Sequence, residues 1–361
     1  IASCLVGSEM CIRDSGTADN KGQHTINLTA LRQTLRARGG KLGFNATWLI
    51  ETGEEAGSPG LAAFCEAQRE ALAADVFIAS DGPRLNAARP TLFMGSRGAV
   101  NFELSLRARE RGYHSGNWGG LLANPAIVLS HAIASLVDAN GRIQVAGLRP
   151  PPIPAAVAAA LADLEVGGGA DDPEINAYWG EPGLSAPEKV FGWNSLDVLT
   201  FGAGDPAKPV NAIPPEAVAW CQLRFVVGTD WKALESHVRA HLDQAGYTDV
   251  KIRLGMQAGA TRLSPDNAWV RWAAASLERT TGVRPALLPN LGGSLPNDIF
   301  ADQLGLPTLW VPHSYPACAQ HAPNEHLLGS VAREGLAIMA GLFWDLGAQG
   351  AALRQAARPA A

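Results

Sequence analysis

The spacing of apolar residues changes twice along the chain. From Gly22 to Arg38, Ile26, Leu28, Leu31 and Leu35 form a stripe of roughly 3.6-residue period that Gly39-Gly40 ends, which predicts a helix. An apolar run over Phe44 to Glu51 predicts a buried strand, Pro59 to Ala74 a helix, and Val76 to Ser80 a short strand ending at Asp81. Strands alternating with helices predict a largely parallel or mixed sheet covered on both faces. Ligands of such sheets bind beyond the carboxyl ends of the strands, where Glu54, Glu55 and Asp81 fall.

At Arg97-Gly98 the pattern becomes strict alternation: Val100, Phe102, Leu104 and Leu106 predict a half-buried strand. A helix is expected over Asn124 to Asp138. Residues 141–193 are rich in Pro, Ala and Gly and predict little beyond a short helix over Ala155 to Leu164. Alternation returns over Ala219 to Val227. A helix then follows over Trp231 to Ala245, with Leu234, Val238 and Leu242 on one face, and a strand over Val250 to Met256. That order predicts a ferredoxin-like α+β unit. After about Thr261 the α/β pattern resumes, with a helix over Asn267 to Thr280, a strand over Pro307 to Val311 and a closing helix over Gly329 to Leu346. The Ala-rich tail beyond Gly347 is expected to fray.

A chain of 361 residues accommodates two domains. The formal net charge of −5 gives no reason to expect nucleic acid or an anionic membrane as partner. No uninterrupted apolar run approaches the ~18 residues of a membrane span. Cys4, Cys11, Cys65, Cys221 and Cys318 are scattered and odd in number, which predicts a reducing, cytoplasmic setting without a disulfide framework.

The candidate chemistry centres on T-G-E-E-A-G-S, Thr52 to Ser58. Alone, adjacent glutamates read as an exposed acidic turn. At the end of an apolar strand they are costly unless a cation sits between them, and a metal would supply it. One carboxylate could then ligate while its neighbour handles a proton. Three further motifs share the chain: G-T-A-D-N-K-G-Q from Gly16, S-D-G from Ser80, and H-A-P-N-E from His321. Taken singly, Asp19 reads as a helix-capping residue, Asp81 as the opening of a turn and His321 as a solvated loop histidine.

Together the four motifs resemble the zinc-dependent metallopeptidase family of acetylornithine deacetylase, succinyl-diaminopimelate desuccinylase, aminoacylase and carnosinase. The resemblance runs from Gly16 to about Leu346, and the G-G-S-L-P run at Gly292 is most similar to the carnosinase-like dipeptidases. It implies a mixed-sheet α/β/α catalytic domain over residues 16–92 and 259–350. A ferredoxin-like lid and dimerisation domain, residues 93–258, would be inserted into it. It also implies two divalent metal ions, zinc or else cobalt or manganese. Asp19 would bridge them, and Glu55, Asp81 and His321 would be further ligands. Glu54 would be the general base, and a cis peptide bond would follow Asp19. His114 would polarise the scissile carbonyl from a partner subunit's lid, while Asn211, Arg224, Gly292, Gly293 and Ser294 would hold the substrate carboxylate. The expected reaction is hydrolysis of a dipeptide or N-acyl amino acid by a homodimer. The alternatives are a deacetylase or desuccinylase, a one-metal carboxypeptidase, and an inert, metal-poor binding or dimerisation relative. The family's H-x-D motif has no counterpart, since the first histidine is His24. Residues 1–15 match nothing in the family and are expected to be foreign, with the natural N-terminus missing; a leader there would not be visible. Loss of that histidine ligand predicts weak metal binding.

Overall fold

The computed structural model describes residues 16–169 and 172–357, so the expectation for residues 1–15 lies outside the described residues. In chain order the strands are β1 (Phe77–Ala79), β2 (Thr91–Phe93), β3 (Gly98–Arg107), β4 (Tyr113–His114), β5 (Ser195–Gly202), β6 (Ala212–Ile213), β7 (Glu216–Phe225), β8 (Lys251–Ala258), β9 (Ala286–Leu288) and β10 (Thr308–Trp310). The helices are α1 (Lys21–Ala37), α2 (Leu61–Ala67), α3 (Ser115–Trp118), α4 (Pro125–Leu136), α5 (Ala155–Leu161), α6 (Ala186–Phe191), α7 (Leu234–Gln244), α8 (Ala268–Thr281) and α9 (Gly329–Ala356). They divide into two compact units. The first takes the chain up to Ser96, Pro154–Glu174 and the chain from Thr261; the second takes Arg97–Ile153 and Ile175–Ala260. Residues 154–174 thus pack with the first unit, where α5 touches β9.

The first unit is built on a mixed sheet of order β1-β10-β2-β9, parallel except between β10 and β2. Alternation sends its side chains to two faces. Leu92, Met94, Leu309 and Val311 pack in one core with residues of α1, α8 and α9. From the other face Phe77 stacks on Phe300 at 4.3 Å between ring centroids, and Phe93 on Trp310 at 5.8 Å. Leu61 and Cys65 of α2 share a core with Phe300. Asn267 starts α8 by accepting the Trp269 N–H at 2.9 Å, and Gly282 ends it in the left-handed region (φ 72°). Helix α9 is long and apolar enough, by length and composition, to cross a membrane. One of its faces instead buries Val331, Ile338, Met339, Leu342, Phe343 and Leu346, as a core helix does.

Three expectations fail in this unit. Phe44 to Glu51 forms no strand: among the described residues its backbone has no ladder partner, although Leu49 packs against the Leu61 cluster. The predicted apolar stripe of α1 is only half of its buried face: Ile26 is buried and Leu31 packs against the same core, but the other two leucines face out. Leu28 and Leu35 are each 38% exposed, while Gln23, Ile26, Asn27, Ala30 and Thr34 are buried. The expected fraying after Gly347 is not seen among the described residues, since α9 continues to Ala356.

The second unit holds an antiparallel sheet of order β5-β7-β3-β8. With α4 and α7 as the two crossovers, this is the ferredoxin-like arrangement. Burial along β7 alternates strictly, with Ala217, Ala219, Cys221, Leu223 and Phe225 inward. These meet Val100, Phe102 and Leu104 of β3, Leu129 and Leu136 of α4, and Leu234, Val238 and Leu242 of α7 in one core. Asn124 caps α4 by accepting the Ala126 N–H at 3.0 Å, with Pro125 in the first turn. A two-stranded ribbon of β4 and β6 completes the unit.

Candidate metal centre

The centre lies in the first unit, on loops at the ends of its elements. Gly16 to Asn20 forms a tight turn ahead of α1, closed by the Gly22 N–H donating to the Gly16 carbonyl at 3.1 Å. A Cβ on Gly22 would stand 2.0 Å from the Thr17 carbonyl oxygen, so this close approach requires glycine. The peptide bond between Asp19 and Asn20 is cis, as the resemblance implies. The Asn20 amide donates to the Ser80 carbonyl at 2.8 Å, joining the turn to the end of β1. Glu54 and Glu55 sit in a single 3₁₀ turn, Glu54–Ala56, that Gly57 ends at φ 83°. His321 lies in the loop between β10 and α9, itself in the left-handed region (φ 58°).

These three segments converge. His321 Nε2 is 2.9 Å from Asp19 Oδ2 and 2.8 Å from Glu55 Oε1. Ligand atoms of Asp19, Glu55 and His321 all lie within 4.8 Å of one another. Two carboxylate oxygens and one imidazole nitrogen form a donor set that zinc accepts, so the residues present fit a divalent metal. Electrostatics point the same way. Burial raises the Asp19 pKa, and Glu55 adds to it, while His321 opposes. Burial by itself would lower the His321 pKa, but the hydrogen bond and charge of Glu55, then Asp19, raise it net. The half-buried Glu54 carboxyl is pushed up to about 7 by burial first and then by Glu55, Asp19 and Glu51. Such crowding of negative charge favours a cation.

Asp81 stands outside the three-residue cluster. It feels Asp19 nonetheless: burial and then the Asp19 charge push its pKa up to about 7, although its Oδ1 accepts the Gly82 N–H at 2.6 Å. Gly292, Gly293 and Ser294 follow β9 in the same unit, part-buried. A Cβ on Gly293 would meet only Leu291, at 3.6 Å, so its immediate surroundings do not demand glycine.

The remaining expected residues belong to the second unit. His114 pairs with Ala212 across the β4–β6 ribbon, and the Ser115 N–H donates to the Asn211 carbonyl at 2.9 Å, so His114 and Asn211 are neighbours. The exposed His114 ring accepts the Gly116 N–H at Nδ1, 3.1 Å away. Arg224 lies on the face of β7 turned from the core and donates from Nε to Gln222 Oε1 at 2.9 Å. Burial lowers its pKa, with Asp197 opposing.

Sequence reasoning missed the buried scaffold behind the metal cluster. Gln23 and Asn27 of α1 hold His313, whose N–H donates to Gln23 Oε1 at 2.7 Å and whose Nε2 lies 3.2 Å from Asn27 Oδ1. Arg84, fully buried, donates to the Pro312 carbonyl at 3.1 Å and pairs with Glu334. Glu325, 7% exposed, accepts the backbone N–H groups of Gly16, Ala18 and Asp19 at 2.9, 2.7 and 2.6 Å. Only the Glu325 position carried a signal, as the last letter of H-A-P-N-E.

Comparison with known proteins gives this geometry its setting. In fold, the chain matches an M20 family metallo-carboxypeptidase of Sulfolobus solfataricus with a TM-score of 0.77 at 23% identity, covering 91% of this chain and 76% of that one. It matches human carnosine dipeptidase 1 with a TM-score of 0.71 at 22% identity, covering 92% and 73%. The class is therefore a mixed α/β catalytic-type domain carrying a separate β-rich domain, the architecture of the M20 peptidases. Residues 94–250 match the family model of the M20 peptidase dimerisation domain. The Beta-Ala-His dipeptidase of Rattus norvegicus is 24% identical over 346 residues, 92% of this chain and 70% of that protein. The Cys-Gly metallodipeptidase of Schizosaccharomyces pombe is 27% identical over 336 residues, 86% and 68%. Together these show that the chain resembles the M20 peptidases in fold over most of its length and in sequence most clearly over the dimerisation-domain match.

Proposed function

We propose that this chain hydrolyses the amide bond of a dipeptide or N-acyl amino acid, with metal at Asp19, Glu55 and His321 and Glu54 as general base. The convergence of those three side chains from segments up to 302 residues apart, beside a raised-pKa glutamate, carries the reading. A bound divalent cation would supply a more acidic water and a polarised carbonyl. Glu54, next in sequence to a ligand and half-buried, takes a proton from the attacking water and delivers it to the leaving amine. His114 accepts the Gly116 N–H at Nδ1, so a neutral ring carries its proton on Nε2. It is thereby suited to donate to a developing oxyanion, in the family's manner from a partner chain. Arg224 offers a planar donor fork to the substrate carboxylate, with Asn211 and the Gly292–Ser294 turn as further contacts. Asp81 would help hold a second divalent metal, which would supply further charge to polarise the carbonyl. The dipeptidase names of the rat and fission-yeast relatives favour a dipeptide over an N-acyl amino acid.

The proposal includes a homodimer paired through the second unit and a cytoplasmic setting. The match to a dimerisation domain supports pairing, as does the edge strand β5, which exposes Val198, Leu199 and Phe201 at 42%, 50% and 44%. Buried free thiols at Cys65, Cys221 and Cys318 support the setting. Zinc titration by calorimetry, alongside turnover of a dipeptide panel with and without chelator, tests the function. Weak zinc uptake, as the missing histidine ligand predicts, lost altogether in His321→Ala, and hydrolysis abolished by chelator, are expected. A wild-type chain that takes up no zinc, cobalt or manganese would sink the reading.

A further inference from the structure

Glu325 touches none of the three clustered side chains through its own hydrogen bonds, yet it binds the backbone that carries one of them. Its Oε1 accepts from Ala18 and Asp19 at 2.7 and 2.6 Å, and its Oε2 from Gly16 at 2.9 Å. Successive N–H groups converging on one point form an anion-binding nest. Here the anion is a side chain 306 residues away from Asp19 in sequence. Glu325 also lies at the end of the loop of His321, four residues after it. That loop is fastened by the Ala322 N–H to the Ala319 carbonyl at 3.1 Å and by the His326 N–H to the Cys318 carbonyl at 2.9 Å. One carboxylate therefore spans the backbone of Asp19 and the base of the loop bearing His321, whose side chains meet at 2.9 Å.

We infer that Glu325 is a positioning residue that fixes the Asp19–His321 separation and so sets the affinity of the metal centre. The inference rests on the proposed metal function. Three donors are shared by two oxygens, so the geometry calls for a carboxylate rather than an amide. In a glutamine one oxygen becomes an NH₂ group, which would face a backbone N–H, donor against donor. The turn would then lose an anchor, and metal sites tolerate ligand displacements of only a few tenths of an ångström.

The test is zinc affinity by chelator competition, measured on folded protein, for wild type, Glu325→Gln and Glu325→Ala, each with and without formate. Glu325→Gln should bind zinc about 10–100-fold more weakly, the range for losing a group that orients a ligand. In Glu325→Ala, formate should fill the emptied nest and recover part of the affinity, while leaving wild type unchanged. A role confined to stability would lower the melting temperature without changing zinc affinity in the folded fraction. Folded Glu325→Gln with affinity within about twofold of wild type, well short of that range, overturns the inference while the metal function stands. If Glu325→Gln does not fold, Glu325→Ala decides, and an affinity that formate does not move overturns it. A wild type without zinc affinity removes the proposed function, and this inference with it.

Discussion

The two units organise their polar groups differently. In the second, polar and apolar residues alternate along β3 and β7 and separate cleanly to the two faces of the sheet. In the first, ionisable groups are drawn inward: Asp19, Glu54, Asp81, Arg84, His313 and Glu325 are buried or part-buried, with the exposed Glu55 beside Asp19. The second arrangement is what sheet packing favours by itself. The first costs desolvation at every buried ionisable group, a cost that fits the proposed metal-binding role. Stability should therefore answer chiefly to the apolar cores, and metal binding and proton transfer to the first unit's loops.

The sharpest test of that division is Glu54→Gln. It should lower turnover by about 10²–10⁴-fold, the range for losing acid–base catalysis, with zinc affinity and melting temperature close to wild type. A large loss of stability would blur the contrast. Leu223→Ala, in the fully buried core of the second unit, should cost about 2–5 kcal/mol in chemical denaturation. At temperatures where that variant stays folded, zinc uptake should persist, and its loss would show that the units are not separable.

A pH series probes the buried scaffold. Burial, and then the Arg84 charge, hold the His313 pKa down at about 3. In the unfolded chain the imidazole titrates near ~6.5, so between those values the unfolded state binds the extra proton. The stability that His313 contributes is thus fully present above about pH 6.5 and is lost as pH falls towards 3. Denaturation midpoints from pH 8 to 4 should fall less steeply for His313→Gln than for wild type, and equal slopes would remove His313 from the acid response. The smallest effect expected is that of Asn267→Ala, a lost helix cap worth about 1 kcal/mol, read as a lower denaturation midpoint with turnover unchanged.

What could be read in advance follows the same division. Leu234, Val238 and Leu242 announced α7 because an apolar stripe is a local signal, and the alternation in β3 and β7 did likewise. The stripe on α1 misled in part: Ile26 and Leu31 do face the core, but Leu28 and Leu35 do not. The helix turns Gln23 and Asn27 inward to serve His313 and Ser80, and period counting on apolar residues cannot see a polar buried face. Phe44 to Glu51 misled because a strand needs a neighbour as well as an apolar sequence. The three-residue strands β2 and β9 were missed, whereas the equally short β1 and β10 were read from the apolar runs Val76 to Ser80 and Pro307 to Val311. Asp19, Glu55 and His321 were legible through motifs. Glu325's task was not, because its three partners are backbone groups, which look alike in any sequence.

The first unit's three-segment construction has a consequence for biosynthesis. β1 lies beside β10, whose sequence comes more than 200 residues later, and the turn holding Asp19 waits for Glu325. The second unit, by contrast, draws all its strands from one stretch between Arg97 and Ala260. On a ribosome, where domains fold as their sequence emerges, the second unit can complete its sheet while the first is still missing half its own. The cluster of Asp19, Glu55 and His321 forms only after residue 321 has left the exit tunnel. A nascent chain released before that point can carry a finished ferredoxin-like unit, but it never carries an assembled Asp19–Glu55–His321 cluster.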